Sequence, residues 1–281
     1  MKVIVLIDNN PHPLLDLYNE HGVSIYFEIN DQKYLFDVGS SDKFYMNAQQ
    51  LGIEIDDVDY LIISHGHNDH GGGLMKFLEV NSTAKIFISS EVKNQSFYSY
   101  RKENKRNISL DISLLERYPK RFIFLDKNSQ INKNIGLICK FTDQFPLPQA
   151  NRTLSVKNLN NEILDRFIHE IALIVNESRG IIIFSGCSHN GILNILHTCK
   201  EYYQKDILLC IGGTHLINSD ETNSYESEED ILKIGRYINY NYPNTQIITG
   251  HCSGSNVIRS LSNVLSDKIK VFHSGFTVYT K

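Results

Sequence analysis

One stretch of ten residues, Ser64-His65-Gly66-His67-Asn68-Asp69-His70-Gly71-Gly72-Gly73, constrains this chain more than any other. It follows the apolar run Asp59–Ile63 directly and leads into a segment with helical spacing, Gly72–Val80. Three imidazoles and a carboxylate within six residues form a donor set suited to a divalent transition metal. In extended chain, His65 and His67 point the same way, because side-chain direction alternates with period two. After a turn, Asp69 and His70 face the other side of the same pocket. One loop thus offers two pairs of ligands, and the four glycines suggest a backbone that needs unusual conformations.

Four ligands do not complete two metal shells, so the remaining donors are sought at the ends of other strand-like runs. Phe184-Ser185-Gly186-Cys187-Ser188-His189-Asn190-Gly191 follows Ile181–Phe184, Thr214-His215 follows Ile207–Ile211, and Gly250-His251-Cys252 follows Ile247–Ile248. His251 is the next candidate ligand. Cys187 and His189 both remain in the candidate set, with a buried thiol as the alternative for Cys187. His215 suits a catalytic or substrate-binding role ahead of a ligand role, and Arg152 is either a phosphate contact or a solvated surface residue. His12, His21, His169, His197 and His273 read as surface or hydrogen-bonded side chains.

The rest of the chain alternates strands with helices. Apolar runs at Val3–Ile7, Val23–Ile29, Lys33–Val38, Ala84–Ser89, Arg121–Leu125, Gly136–Phe141, Glu170–Val175 and Lys270–Phe272 predict strands. Ser41–Leu51, Gly191–Tyr203, Glu226–Tyr240 and Ser255–Leu265 predict helices. The polar and aromatic stretch Lys93–Asn107 predicts a surface excursion or lid, within an insertion spanning residues 91–120 of a single domain, 1–281.

Composition narrows the function. With 28 basic and 32 acidic residues the formal charge is −4, which argues against a broad nucleic-acid-binding surface but permits a local basic pocket. The five cysteines form no CxxC pair, which argues against a disulfide framework or a zinc ribbon. No apolar stretch reaches the roughly 20 residues of a membrane span. The short N-terminal apolar run does not suit a signal peptide, and the cytoplasm is the expected location.

The loop HGHNDH after an apolar strand, with Tyr34-Leu35-Phe36-Asp37-Val38-Gly39 upstream, resembles the metallo-β-lactamase-fold superfamily. That resemblance implies an α/β fold: a four-layer αββα sandwich, two mixed sheets flanked by helices, with metals at one edge. Asp8-Asn9-Asn10, Glu20-His21-Gly22-Val23-Ser24, Ser-Gly-Cys187-Ser-His189-Asn-Gly, Gly-Gly-Thr-His215-Leu and Gly-His251-Cys-Ser-Gly also occur in an order similar to a subgroup of metal-dependent hydrolases. Its members are named as dihydropteroate-synthase-related enzymes, which implies joining a dihydropterin pyrophosphate to a ribofuranosyl-aminobenzene phosphate. Two positions depart from the wider superfamily. Thr142–Pro148 lacks the His found there in many members, and Cys187 stands where a bridging Asp is usual. His189 is available to replace the missing ligand, in a centre that is mono- or dinuclear.

The expectation is a metal-dependent hydrolase or transferase. Its metal ligands are drawn from His65, His67, Asp69, His70, Cys187, His189 and His251. Asp69 and His215 act in catalysis, and His215 and Arg152 contact substrate. One or two divalent ions are expected, zinc ahead of iron or manganese. The expected partner is a small, phosphorylated molecule rather than nucleic acid or membrane, and a homo-oligomer is left open. A redox di-iron protein or a non-catalytic metal-binding module on the same fold are the alternatives.

Overall fold

The structure, a computed structural model, describes residues 1–101, 104–159 and 161–280. Two seven-stranded mixed sheets dominate it. The first runs in spatial order Thr277–Tyr279, Lys2–Ile7, Ser24–Ile29, Gln32–Phe36, Tyr60–Ile62, Lys85–Ser89 and Phe122–Leu125. The second runs Ile269–Val271, Gln246–Thr249, Ile207–Gly212, Ile181–Ser185, Ala172–Asn176, Ile135–Ile138 and Ser129–Gln130. Each sheet is half antiparallel and half parallel, and the parallel strands send their following loops to one edge.

The layering follows from residue alternation. In the first sheet Ile62 faces the partner sheet, while Leu61 and Ile63 pack outward with Phe44, Leu74 and Phe77 from the helices Lys43–Gln50 and Leu74–Val80. In the second sheet Ile182 and Phe184 face inward, while Ile181 and Ile183 meet Ile195 and Leu196 of helix Ile192–Tyr203. Three apolar layers between helices and two sheets make the four-layer αββα sandwich. Across the middle layer the Phe27 and Phe184 rings stack with centroids 4.7 Å apart. Phe184→Ala, which opens a cavity there, costs about 3–5 kcal/mol.

The helix Ser255–Leu265 has the expected bounds, and the other expected helices differ by one or two residues at an end. Lys93–Asn107 differs more. Gln95–Arg101 and Asn104–Asn107 form a hairpin that pairs with Leu154–Asn158, which pairs in turn with Asn161–Leu164, giving a third, four-stranded antiparallel sheet. Residues 102–103, within the stretch Lys93–Asn107, lie outside the described residues. The metal-loop glycines also have a reason other than unusual backbone angles. A Cβ on Gly66 would lie 2.3 Å from the Phe97 ring, and one on Gly72 would lie 2.3 Å from the Ser40 carbonyl oxygen. Close packing, not left-handed backbone, excludes side chains at both.

Candidate metal centre

Every candidate ligand sits in a loop that leaves the C-terminal end of a strand at the shared edge of the two main sheets. The loop after Tyr60–Ile62 carries His65 and His67, and the short helix Asn68–Gly71 carries Asp69 and His70. Backbone bonds fix these loops across the sheets. Ile171 N donates to Ser64 O at 2.7 Å, and Gly213 N donates to Gly186 O at 2.8 Å.

The donors fall into two adjacent groups, each with its ligand atoms within 4.8 Å of one another: His65, His67 and His189, and Asp69, His70, Cys187 and His251. Cys187 also lies in such a group with His189 and His215. Cys187 and His189, two residues apart, thus belong to different ones of the two main groups and meet in the third, with Ser188 between them at φ +59°. His251 and His215 are likewise at positive φ, +42° and +49°. Left-handed backbone at non-glycine residues costs about 1–3 kcal/mol each and concentrates at functional sites.

Most of these rings are held from outside by their second nitrogen. His70 Nδ1 donates to Asp37 Oδ2 at 2.7 Å, and Asp37 also accepts Ser64 N and Ser64 Oγ. His189 Nδ1 donates to Asn151 Oδ1 and His251 Nδ1 to Asn9 Oδ1, each at 3.0 Å. His65 Nδ1 lies 2.9 Å from Ser64 Oγ. Their Nε2 atoms turn inward. His70 Nε2 is 3.2 Å from both Cys187 Sγ and His251 Nε2, and His65 Nε2 is 3.0 Å from His67 Nδ1. His67 Nε2 and His189 Nε2 are buried without a hydrogen-bond partner. Inward-facing lone pairs, outer nitrogens tied to acceptors and buried orphan nitrogens are what a metal-ligating imidazole requires. The donor set of imidazole, carboxylate and thiol fits one or two divalent transition ions.

The electrostatics differ between the groups. Burial holds the imidazoles of His65 and His189 well below their ordinary value, and that of His67 at about 3. These rings are neutral and able to ligate. Burial also works against Asp69 and His251, but they offset it in each other. Asp69 is carried well below the usual carboxylate range by His70 and by bonds from His21 and His251, and His251 is raised to about 9. Burial raises the Cys187 thiol, so the thiolate there needs a cation to form near neutral pH.

Residues that support the site, with no such role expected from the sequence, are Asp37, Asp8 and Asn9, present there only as parts of motifs, His169, read there as surface or hydrogen-bonded, and Asn151, Glu170 and Asp165. Asp8 Oδ2 accepts His251 N at 2.8 Å, and Glu170 accepts the backbone amides of His189 and Asn190. His169, fully buried, lies 3.0 Å from Asp165 and accepts Gly66 N, so it braces the metal loop. His21, exposed, reaches Asp69 at 3.3 Å. The visible signal was that Asp8 and Asp37, like the ligands, sit just past a strand. Arg152 lies apart: its guanidinium donates to the Ser224 carbonyl and packs near the Tyr225 ring, and it does not line the cavity beside the metal groups.

That cavity has a volume of about 630 Å³ and is lined by Asp69, Cys187, His189, His215 and His251, and by residues of the third sheet. Both ring nitrogens of His215 are buried and unpartnered. All five cysteines are free. Among the described residues no helix is long and apolar enough to cross a membrane.

Comparison with known proteins agrees with this architecture. Residues 18–146 match the model of the Metallo-beta-lactamase superfamily. The chain is 26% identical over 288 residues to the 7,8-dihydropterin-6-methyl-4-(beta-D-ribofuranosyl)-aminobenzene-5'-phosphate synthase of Methanocaldococcus jannaschii, covering 98% of this chain and 95% of that one. The crystal structure of Tm1679, a metal-dependent hydrolase of the beta-lactamase superfamily, superposes with a TM-score of 0.82 at 28% identity, covering 100% of this chain and 99% of that one. Zinc-bound PqqB from Methylobacterium extorquens shares the fold at 9% identity and a TM-score of 0.55, with full coverage of both chains.

Proposed function

We propose that this chain, whose residues 18–146 match the Metallo-beta-lactamase superfamily model, is an enzyme that hydrolyses or transfers a group of a small phosphorylated substrate at a dinuclear centre, zinc being the favoured metal. The observation that carries this reading is the pair of ligand groups, His65/His67/His189 and Asp69/His70/Cys187/His251, opening on one cavity. When bound, the ions would polarise a phosphoryl or carbonyl oxygen and lower the pKa of a water toward neutrality.

The chain's own residues supply the rest. Asp69 Oδ2, ionised at neutral pH, orients the attacking water and takes its proton. His251 and His21 hold that carboxylate from two sides, each at 3.3 Å. His215, beside Cys187 and His189 and free at both ring nitrogens, donates a proton to the leaving group or contacts its anionic substituent. Asp37 fixes the His70 ring so that its Nε2 faces inward.

The transferase form of the reading takes support from the archaeal relative named as a synthase, which aligns over nearly the whole chain. The test is to load the purified protein with zinc, manganese or iron and assay phosphoester, thioester and lactone substrates. The test also includes mixtures of a pterin pyrophosphate with an aminobenzene acceptor. Metal-dependent turnover lost in the His65→Ala/His67→Ala variant is the expected result. Full activity in that variant would sink the reading.

A further inference from the structure

The hairpin Gln95–Arg101 and Asn104–Asn107 contributes to the wall of the cavity beside the metal groups. Its register assigns its two faces. Ser99 pairs with Arg106 and with Leu154, so these three share a face with Phe97 and Arg101. Phe97 is fully buried, its ring centroid 5.6 Å from that of His67. Ser99, Arg101, Arg106 and Leu154 all line the cavity. The strand end is tied to the metal loop, since Asn68 N donates to Ile108 O at 2.7 Å and Leu110 N donates to Gly66 O at 3.0 Å. The arginines are therefore carried on an element fixed to the metal loop.

The other face of the sheet holds Tyr98, Tyr100, Lys105, Ser155 and Glu162. There Lys105 lies over both tyrosine rings, and Glu162 takes Lys105, Tyr100 and Ser155. That carboxylate is spent away from the cavity. Among the described residues neither the Arg101 nor the Arg106 guanidinium has a hydrogen bond or ion pair, and Asp69 is the one acidic side chain lining the cavity. Among the described residues, a chain of net charge −4 thus keeps two guanidinium groups without an acidic partner on the wall of the cavity that holds the candidate metal ligands.

We propose that Arg101 and Arg106 form the specificity-determining anchor for a phosphate monoester borne by the substrate away from the reacting bond. This rests on the hydrolase or transferase reading above, since it locates the substrate in this cavity. Guanidinium forks suit a dianionic phosphate, and they stand on a different element from the candidate metal ligands while lining the same cavity. The cavity volume suits a small molecule rather than a polymer.

The test titrates the metal-loaded protein with phenyl phosphate, with phenol as the uncharged control and a single-stranded oligonucleotide as the polymer control, by calorimetry. Arg101→Gln/Arg106→Gln should raise the phenyl phosphate Kd about tenfold or more, with metal content and the circular dichroism spectrum unchanged. Lys105→Gln, on the opposite face, should leave it within twofold, and Arg101→Lys/Arg106→Lys should fall between. Unchanged affinity in the double glutamine variant would overturn the proposal, because the phosphate would then sit on the metals alone. An equal loss in Lys105→Gln, or tighter and arginine-dependent binding of the oligonucleotide, would overturn it as well. The hydrolase reading fails separately, by absence of bound metal in the wild-type protein, and the arginine dependence is measured on the metal-free form in that case.

Discussion

The two ligand groups share a cavity wall but are built on different physics. The group of His65, His67 and His189 is all imidazole, buried and neutral, and two of its nitrogens lack any protein partner. The group of Asp69, His70, Cys187 and His251 satisfies much of itself through the Asp69–His251 pair and the buried Asp37–His70 bond. The first group has little to gain from staying empty, and the second partly neutralises its own charge. The first should therefore hold its ion more tightly than the second.

The largest effect that would break this contrast is His65→Ala/His67→Ala, expected to abolish activity and reduce bound metal to one ion or fewer, read by elemental analysis. Asp37→Asn comes next. It leaves His70 without its charged acceptor and should weaken metal binding about 10–100-fold, mostly at the second site, in a chelator competition. Retention of both ions at wild-type affinity would refute the idea that Asp37 sets the second group.

The metal-free protein gives a subtler separation by pH. A buried histidine whose pKa is lowered on folding destabilises the fold as pH drops below its unfolded value, because the unfolded chain then binds the extra proton. His67, at about 3 against an ordinary 6.5, sets that acid limb below pH 6.5, with His65 and His189 acting in the same direction. His251, raised to about 9, acts with opposite sign, its contribution present below pH 6.5 and lost as pH rises from there to 9. Melting temperature against pH should show both limbs, and His251→Asn should remove the alkaline one alone. The smallest effect is expected at Arg152→Ala, whose guanidinium is engaged by the Ser224 carbonyl outside the cavity: kcat/KM within about twofold, a change well under 1 kcal/mol.

The ligand loops were legible because their signal is local. A strand, a turn and a helix are contiguous in sequence, and His65, His67, Asp69 and His70 lie within one such unit. What holds the ligands was not legible. Asp37 is 33 residues from His70 and Asn151 is 38 from His189, and these partners meet only once the sheets have formed. The third sheet escaped for another reason. Asn104–Asn107 is exposed at every position, so no apolar alternation marks it, and its strand character comes from pairing with Gln95–Arg101. The glycines were read correctly as necessary but for the wrong reason at Gly66, where the Phe97 ring, supplied by that unforeseen sheet, occupies the space of a Cβ.

If these seven side chains hold metal in two adjacent positions, anomalous diffraction from metal-loaded crystals, collected across the absorption edge of the ion found by elemental analysis, shows both ions. The predicted result is two peaks, the stronger among His65, His67 and His189 and the weaker among Asp69, His70, Cys187 and His251. A protein without metal, or a single peak away from both groups with Asp69, Cys187 and His251 still bonded only to protein, would contradict it.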